Sequence, residues 1–410
     1  MGLLILISFL IEVGVLLYLE IKTWHTLYTP LNFLMLPYVV ILLITIAISG
    51  KWGIVDFYYP SILYWNVGLL VFAIPSYAIG YAMQKNGKPV CRPIYDGDGL
   101  PRIVVVLAAV MCLAFLYRLK QTLGSSAASL GSDEFGMDFD GHGLWAHLSK
   151  LNLPLLILCI YYVDRKRWWL WIIILLLIFI TFLHQVKGWV IIPCVTGLAM
   201  RLYSGKTHLT FKFVLLLVLG ALLVFMISYI FSLVVGGEAM LGGAIMELIL
   251  NIFAHYVTSG VLGFSVDLAA GMPDKGSMEV LFAQFVNIIN LLSGNGEIVS
   301  QVNNVFLYTG INITNVRTMF GTIAIYTNPA QFIFVTLLIS STIYLLRVLA
   351  IRFDNVYVNV IYFYQCALLC MGWFEYYFFH LDAIEVPVMT LIVMMAVLLL
   401  NPPQKKAICN

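Results

Sequence analysis

Residues Gly2 to Leu19 read GLLILISFLIEVGVLLYL, and Glu12 is the one charge among them. At 1.5 Å per residue, about 20 such residues cross a hydrocarbon core roughly 30 Å thick, so the stretch reads as a membrane-spanning helix. No small-residue cleavage site follows it, and similar stretches continue along the chain, so it reads as the first of a series rather than a removable signal.

Working outward, hydropathy predicts about eleven spans. They are Gly2 to Leu19, Leu31 to Ser49, Ser61 to Met83, Ile103 to Tyr117, Leu144 to Val163, Trp168 to Leu183, Trp189 to Tyr203, Phe213 to Val235, Thr322 to Leu346, Val358 to Tyr377 and Val386 to Leu400. The composition agrees: 62% hydrophobic, 10% charged and a mean hydropathy of +0.98. Soluble domains are about half apolar and about a quarter charged, so a soluble globule is excluded. The expected fold is all-α, a polytopic integral membrane protein forming one helical domain over 1–410.

Most of the 22 Lys and Arg fall on one side of this topology, in the loops around Lys22, Lys85 to Arg102, Arg165 to Arg167, Arg201 to Lys212, Arg347 to Arg352 and the tail at Lys405 and Lys406. The positive-inside rule makes that side cytoplasmic, with the amino terminus outside and the carboxyl terminus inside. A net charge of +2 says little when charges are sorted by side. Nucleic acid is excluded as a partner, because no basic patch is interleaved with exposed aromatics. The seven cysteines fall in spans or on the basic side, so no disulfide framework is indicated. Cys366 and Cys370 share a helix face but lack companion ligands for a metal.

Two outer segments stand apart. Gln121 to Gly143 carries Gly and Ser followed by Asp133, Glu134, Asp138 and Asp140, and reads as a flexible acidic loop without calcium-loop spacing. Gly236 to Gly321 reads as a cap containing two amphipathic helices. In the first, Glu247, Asn251, His255 and Ser259 recur every four residues opposite an apolar face with Tyr256 at its edge, so the helix is expected at the membrane surface. The second spans Met278 to Leu292, with Gln284, Asn287 and Asn290 three apart. The segment then returns through Asn303, Asn304, Asn315, Arg317 and Thr318.

Cations at the outer rim need an explanation. Lys187 lies in a tight connection between two spans, Arg317 precedes the ninth and Arg118 ends the fourth. A cation there needs an anion, whether a phosphate-bearing ligand, a lipid headgroup or a carboxylate such as Glu238 or Glu297.

The eleven-span pattern, the basic hairpin His184-Gln185-Val186-Lys187-Gly188 and the outer segment before the last spans together resemble the Wzy-type polymerases of O-antigen and capsular repeat units. So do Ala254-His255-Tyr256-Val257-Thr258-Ser259-Gly260 and Asn315-Val316-Arg317-Thr318-Met319-Phe320-Gly321, the latter similar to the Asn-Val-x-Thr stretch leading into a late span of those enzymes. Where relatives often carry an acidic residue and Gly soon afterwards, this chain has Asn328-Pro329.

The resemblance implies a GT-C-like polymerase or ligase architecture with a periplasmic cap over residues 236–321. It implies a glycosyltransferase of the bacterial inner membrane that polymerises undecaprenyl-diphosphate-linked oligosaccharide repeats on the periplasmic face, beside membrane lipid and a chain-length regulator. No cofactor and no metal are expected. The roles that follow are Lys187, Arg317 and Arg118 for the diphosphate, and His255 as base with Glu247 or Glu238 orienting it. Asn251, Tyr256, Ser259, Asn304, Asn315 and Thr318 would line the acceptor cavity. Two rivals are a flippase for the same lipid-linked glycan and an acyltransferase, the latter requiring a His–Asp pair among His142, His147, His184 and Asp140.

Overall fold

The fold is described from a computed structural model covering residues 1–92, 94, 99–126, 132–141, 143–184, 186–210, 212, 220, 226, 243–272 and 276–400. The helices in chain order are α1 (Gly2–Trp24), α2 (Pro30–Ile48), α3 (Ser61–Lys85), α4 (Arg102–Ser125), α5 (Asp133–Asp140), α6 (Leu144–Ser149), α7 (Asn152–Tyr162), α8 (Leu170–Leu183) and α9 (Lys187–Tyr203). They continue with α10 (Gly243–Ala269), α11 (Ala283–Leu292), α12 (Met319–Tyr326), α13 (Pro329–Phe353), α14 (Val356–Cys370) and α15 (Asp382–Leu400). A two-residue antiparallel hairpin, β1 (Leu307–Tyr308) with β2 (Ile313–Thr314), is a small departure from an all-α chain. It turns at Gly310, whose φ is +102° and where a Cβ would lie 1.9 Å from Gly53 O.

Among the described residues, seven helices are long and apolar enough to cross a membrane, or eight if the pair bent by 95° at residues 134–162 counts as one span. Eleven were expected from hydropathy. Phe213 to Val235 lies outside the described residues, while α8, α9 and α14 are apolar but shorter, at 14, 17 and 15 residues. The expected Thr322 to Leu346 span is instead divided. Thr327 is extended, and Asn328 and Gln331 cap one another reciprocally (2.9 and 3.0 Å) with Pro329 opening α13. The Asn328-Pro329 pair is therefore a helix start.

The acidic stretch is helical from Asp133, not a plain loop. Ser132 caps α5 by accepting from Phe135 N (3.1 Å), and Phe135 and Phe139, four apart, are both buried. The helix expected at the membrane surface is α10, whose residues Glu247–Ala269 qualify as a span with 56% of the window buried within the chain. Its four-residue stripe explains the difference. Each step of four advances about 40° around a helix of 3.6 residues per turn, so the stripe spirals from the exposed Glu247 and Asn251 to the buried His255 and Ser259.

The chain divides into two compact units. The first holds α1–α3, α10–α13 and the turn after α14, and its core is set by α3. Trp65 stacks on Tyr38 (ring centroids 3.4 Å) and donates to Thr318 Oγ1 (3.1 Å), while Gly68 lets the Phe320 ring lie against the helix. A polar network is buried in the same unit. Trp24 donates to Ser76, Ser76 to Glu20 Oε2 (2.7 Å) and Tyr344 to Glu20 Oε1, while Arg347 lies over the Trp24 ring and donates to Tyr28 O (2.9 Å). Arg347, read from sequence as a loop cation, is 1% exposed within α13.

The second unit holds α4–α9, most of α15 and the start of α14. All 11 residues of α7 are buried. Gly197 lets α9 approach Ile157 O and Ile160, and Arg201 Nη1 donates to the carbonyls of Ile160, Tyr161 and Val163 (2.6–3.1 Å). A cation there satisfies the orphan carbonyls at the end of α7.

Candidate active site

The first unit contains a junction built on glycine. On α10, a Cβ at Gly260 would lie 2.3 Å from Phe374 O, and one at Gly263 would lie 2.4 Å from Val316 O. Two irregular stretches, 314–318 and 371–374, therefore rest directly on the helix backbone. Hydrogen bonds fix them there, from Thr318 N to Gly260 O (3.2 Å) and from Met319 N to Gly372 O (2.7 Å). Thr318 then caps α12, accepting from Gly321 N (3.1 Å).

This arrangement delivers Arg317 to Asp267, one turn beyond Gly263 on α10. Arg317 Nε donates to Asp267 Oδ2 and Nη2 donates to Val305 O (3.3 Å). Arg317 is 1% exposed and Asp267 6%, and Arg317 Nη1 is buried with no hydrogen-bond partner among the described residues. A buried guanidinium with one nitrogen unsatisfied is costly, so the site has capacity for one more anionic or polar group. Tyr326, the last residue of α12, lies within charge range of Arg317, Asp267 and Glu375. Its ring packs on the Gly276 backbone, where a Cβ would sit 2.2 Å from Cε1. Glu375 in turn faces His380, Oε2 to Nε2 at 3.7 Å.

The expected base stands apart from this pair. His255 is 7% exposed, its Nδ1 lies 3.4 Å from Thr309 Oγ1, and the Thr309 hydroxyl already donates to Asn312 O. The imidazole thus donates to Thr309 and ties α10 to the hairpin. Glu247 is exposed and two turns away on the same helix, about 12 Å along the axis, so it does not touch the ring. Glu238 lies outside the described residues. Among the expected cavity residues, Thr318 and Ser259 are buried, Tyr256 stacks on Phe374, Asn315 is half-buried, and Asn251 and Asn304 are exposed.

The expected cation trio is divided between the units. Arg118 and Lys187 belong to the second unit and Arg317 to the first. Arg118 donates to Asp138 O (2.8 Å) and Phe139 O (3.4 Å), closing the end of α5. Lys187 opens α9, and its side chain is outside the described residues. Among the described residues the carboxylate that pairs with Arg317 is Asp267 rather than Glu297. One signal for it was available, since the four-residue series of α10 continues past Ser259 through Gly263 to Asp267.

The second unit has its own polar cluster. His184 Nδ1 is 3.1 Å from Asp140 Oδ1, though not aligned for a hydrogen bond, and the ring is 6% exposed among Phe115, Phe139 and Trp189. Burial pulls the His184 pKa below its ordinary value, against Asp140, which acts to raise it. Lys150 lies over the Trp189 ring, and His147 Nδ1 meets Glu385 Oε1 at 2.6 Å. His142 is outside the described residues. Among those described, no group of three or more His, Cys, Asp and Glu side chains is arranged to hold a metal ion.

Fold and site together define a polytopic helical membrane protein with a buried, partly unsatisfied arginine at a helix-break junction. The chain belongs to a family of unknown function (DUF6337), whose pattern matches residues 53–401. No curated protein and no solved structure matches it.

Proposed function

We propose that this chain is a membrane glycosyltransferase that polymerises undecaprenyl-diphosphate-linked oligosaccharide repeats at the periplasmic face of a bacterial inner membrane. The reading keeps the outside amino terminus expected from the distribution of Lys and Arg. Its resemblance to Wzy-type polymerases supports it, and one observation carries it. Arg317 is buried and, among the described residues, held by a single carboxylate with Nη1 left unpartnered. Transfer of a glycan from a lipid diphosphate builds negative charge on the leaving oxygen, and a fixed guanidinium in a poorly solvated site stabilises it strongly.

The test is the glycan ladder made by full-length protein from lipid-diphosphate-linked repeats. Arg317→Ala is expected to abolish the ladder, and Arg317→Lys, which keeps the charge without the fork, to retain a fraction of it. Translocated but unelongated substrate from the wild-type chain would favour a flippase. A second reading, acyl transfer, is favoured by the Asp140–His184 pair. It would require Asp140→Asn to remove acyl transfer to a glycan while leaving chain elongation intact.

A further inference from the structure

We infer that His380, with Glu375 beside it, is the base that takes the proton from the attacking hydroxyl. This deepens the reading of Arg317 as the diphosphate ligand and rests on it. The chain leaves α14 through Gly372 to Phe374, which lie on α10 at Gly260 and on the start of α12 at Met319. That anchoring sets Gly372 to Phe374 against the junction that carries Arg317, and Glu375 follows directly in the chain.

Two contacts hold the other side. Tyr376 donates to Leu281 O (3.3 Å), and the stretch beginning at Gly276 covers the Tyr326 ring. Tyr326, at the end of α12, feels the charges of both Arg317 and Glu375.

The pair itself has the form of a base and its orienting group. Glu375 Oε2 lies 3.7 Å from Nε2, within ion-pair range of an imidazolium though beyond hydrogen-bond distance, which leaves Nδ1 to accept the proton. His380 has no hydrogen-bonding side-chain partner among the described residues, and its ring is held between Phe379 and Tyr377, with centroids at 4.5 and 5.6 Å. At 28% exposed it is open to a substrate, whereas His255 at 7% is already committed to Thr309.

In the step so assigned, the acceptor O–H bond breaks and its proton goes to His380 Nδ1. The acceptor oxygen bonds to the anomeric carbon. The bond from that carbon to the diphosphate oxygen breaks, and its electron pair leaves with the diphosphate, beside Arg317. Glu375 is a positioning residue that also stabilises the imidazolium.

Two measurements on the full chain separate this assignment from the reading beneath it. One is binding of undecaprenyl diphosphate to detergent-solubilised protein. The other is the surface-glycan ladder of cells whose own copy of the protein carries the variant. His380→Gln is expected to reduce the ladder about 100-fold or more, the range of general-base catalysis, with lipid-diphosphate binding unchanged. Glu375→Gln should lower elongation and Glu375→Asp should restore part of it, both with normal binding. An undiminished ladder in His380→Gln overturns the assignment, and so does loss of the ladder together with binding. A ladder lost in His255→Gln but kept in His380→Gln returns the base to α10. Failure of the wild-type chain to bind undecaprenyl diphosphate overturns the Arg317 reading instead.

Discussion

Arg317 and Asp267 form a buried ion pair in which each partner is the other's main compensation. Removing the carboxylate strands a guanidinium away from water, so Asp267→Ala is expected to destabilise the protein by about 3–5 kcal/mol, and Asp267→Glu by less. Thermal unfolding in detergent would measure both. Arg317 was legible in the sequence because a cation beside an apolar run demands an anion. Asp267 was marked only by the four-residue series it ends, and its partner was not legible, because only the fold shows that the irregular stretch before α12 crosses α10 there. The approach of Glu375 to His380 was not legible either, because it depends on how the turn after α14 closes.

At the scale of elements, the junction depends on two glycines of one helix. Gly263→Ala would place a methyl 2.4 Å from Val316 O, and a backbone carbonyl cannot swing aside as a flexible side chain can. The expected cost is about 1–3 kcal/mol, read as a lower melting temperature, together with displacement of Arg317 and weaker lipid-diphosphate binding. The helices α1, α2, α3 and α4 were legible from hydropathy, since length and apolarity alone define them. The break before α13 was not, because the run on either side of Asn328-Pro329 is apolar enough to read through. Likewise α5 was hidden by its charges, although Phe135 and Phe139 at helical spacing bury the face that stabilises it.

For the molecule as a whole, the sequence conveyed a polytopic helical protein but not its division into two units, since that depends on which spans pack together. In the second unit, His184 is buried with its pKa below the ordinary value. A base whose folded-state pKa is depressed contributes fully above the unfolded value, about 6.5, and the contribution is lost as pH falls below it. Melting temperature is therefore expected to drop between pH 7.5 and 5.5, and His184→Gln should flatten that part of the profile. An equal drop in the variant would assign the loss to other groups.

Trp65 has a consequence of another kind. Its indole is wedged against Tyr38 and tethered to Thr318, the residue directly after Arg317. The indole thus reports on the hydroxyl next to the guanidinium, and a change in Trp65 emission on adding a diphosphate, lost in Trp65→Phe, is the expected optical sign of an anion settling there.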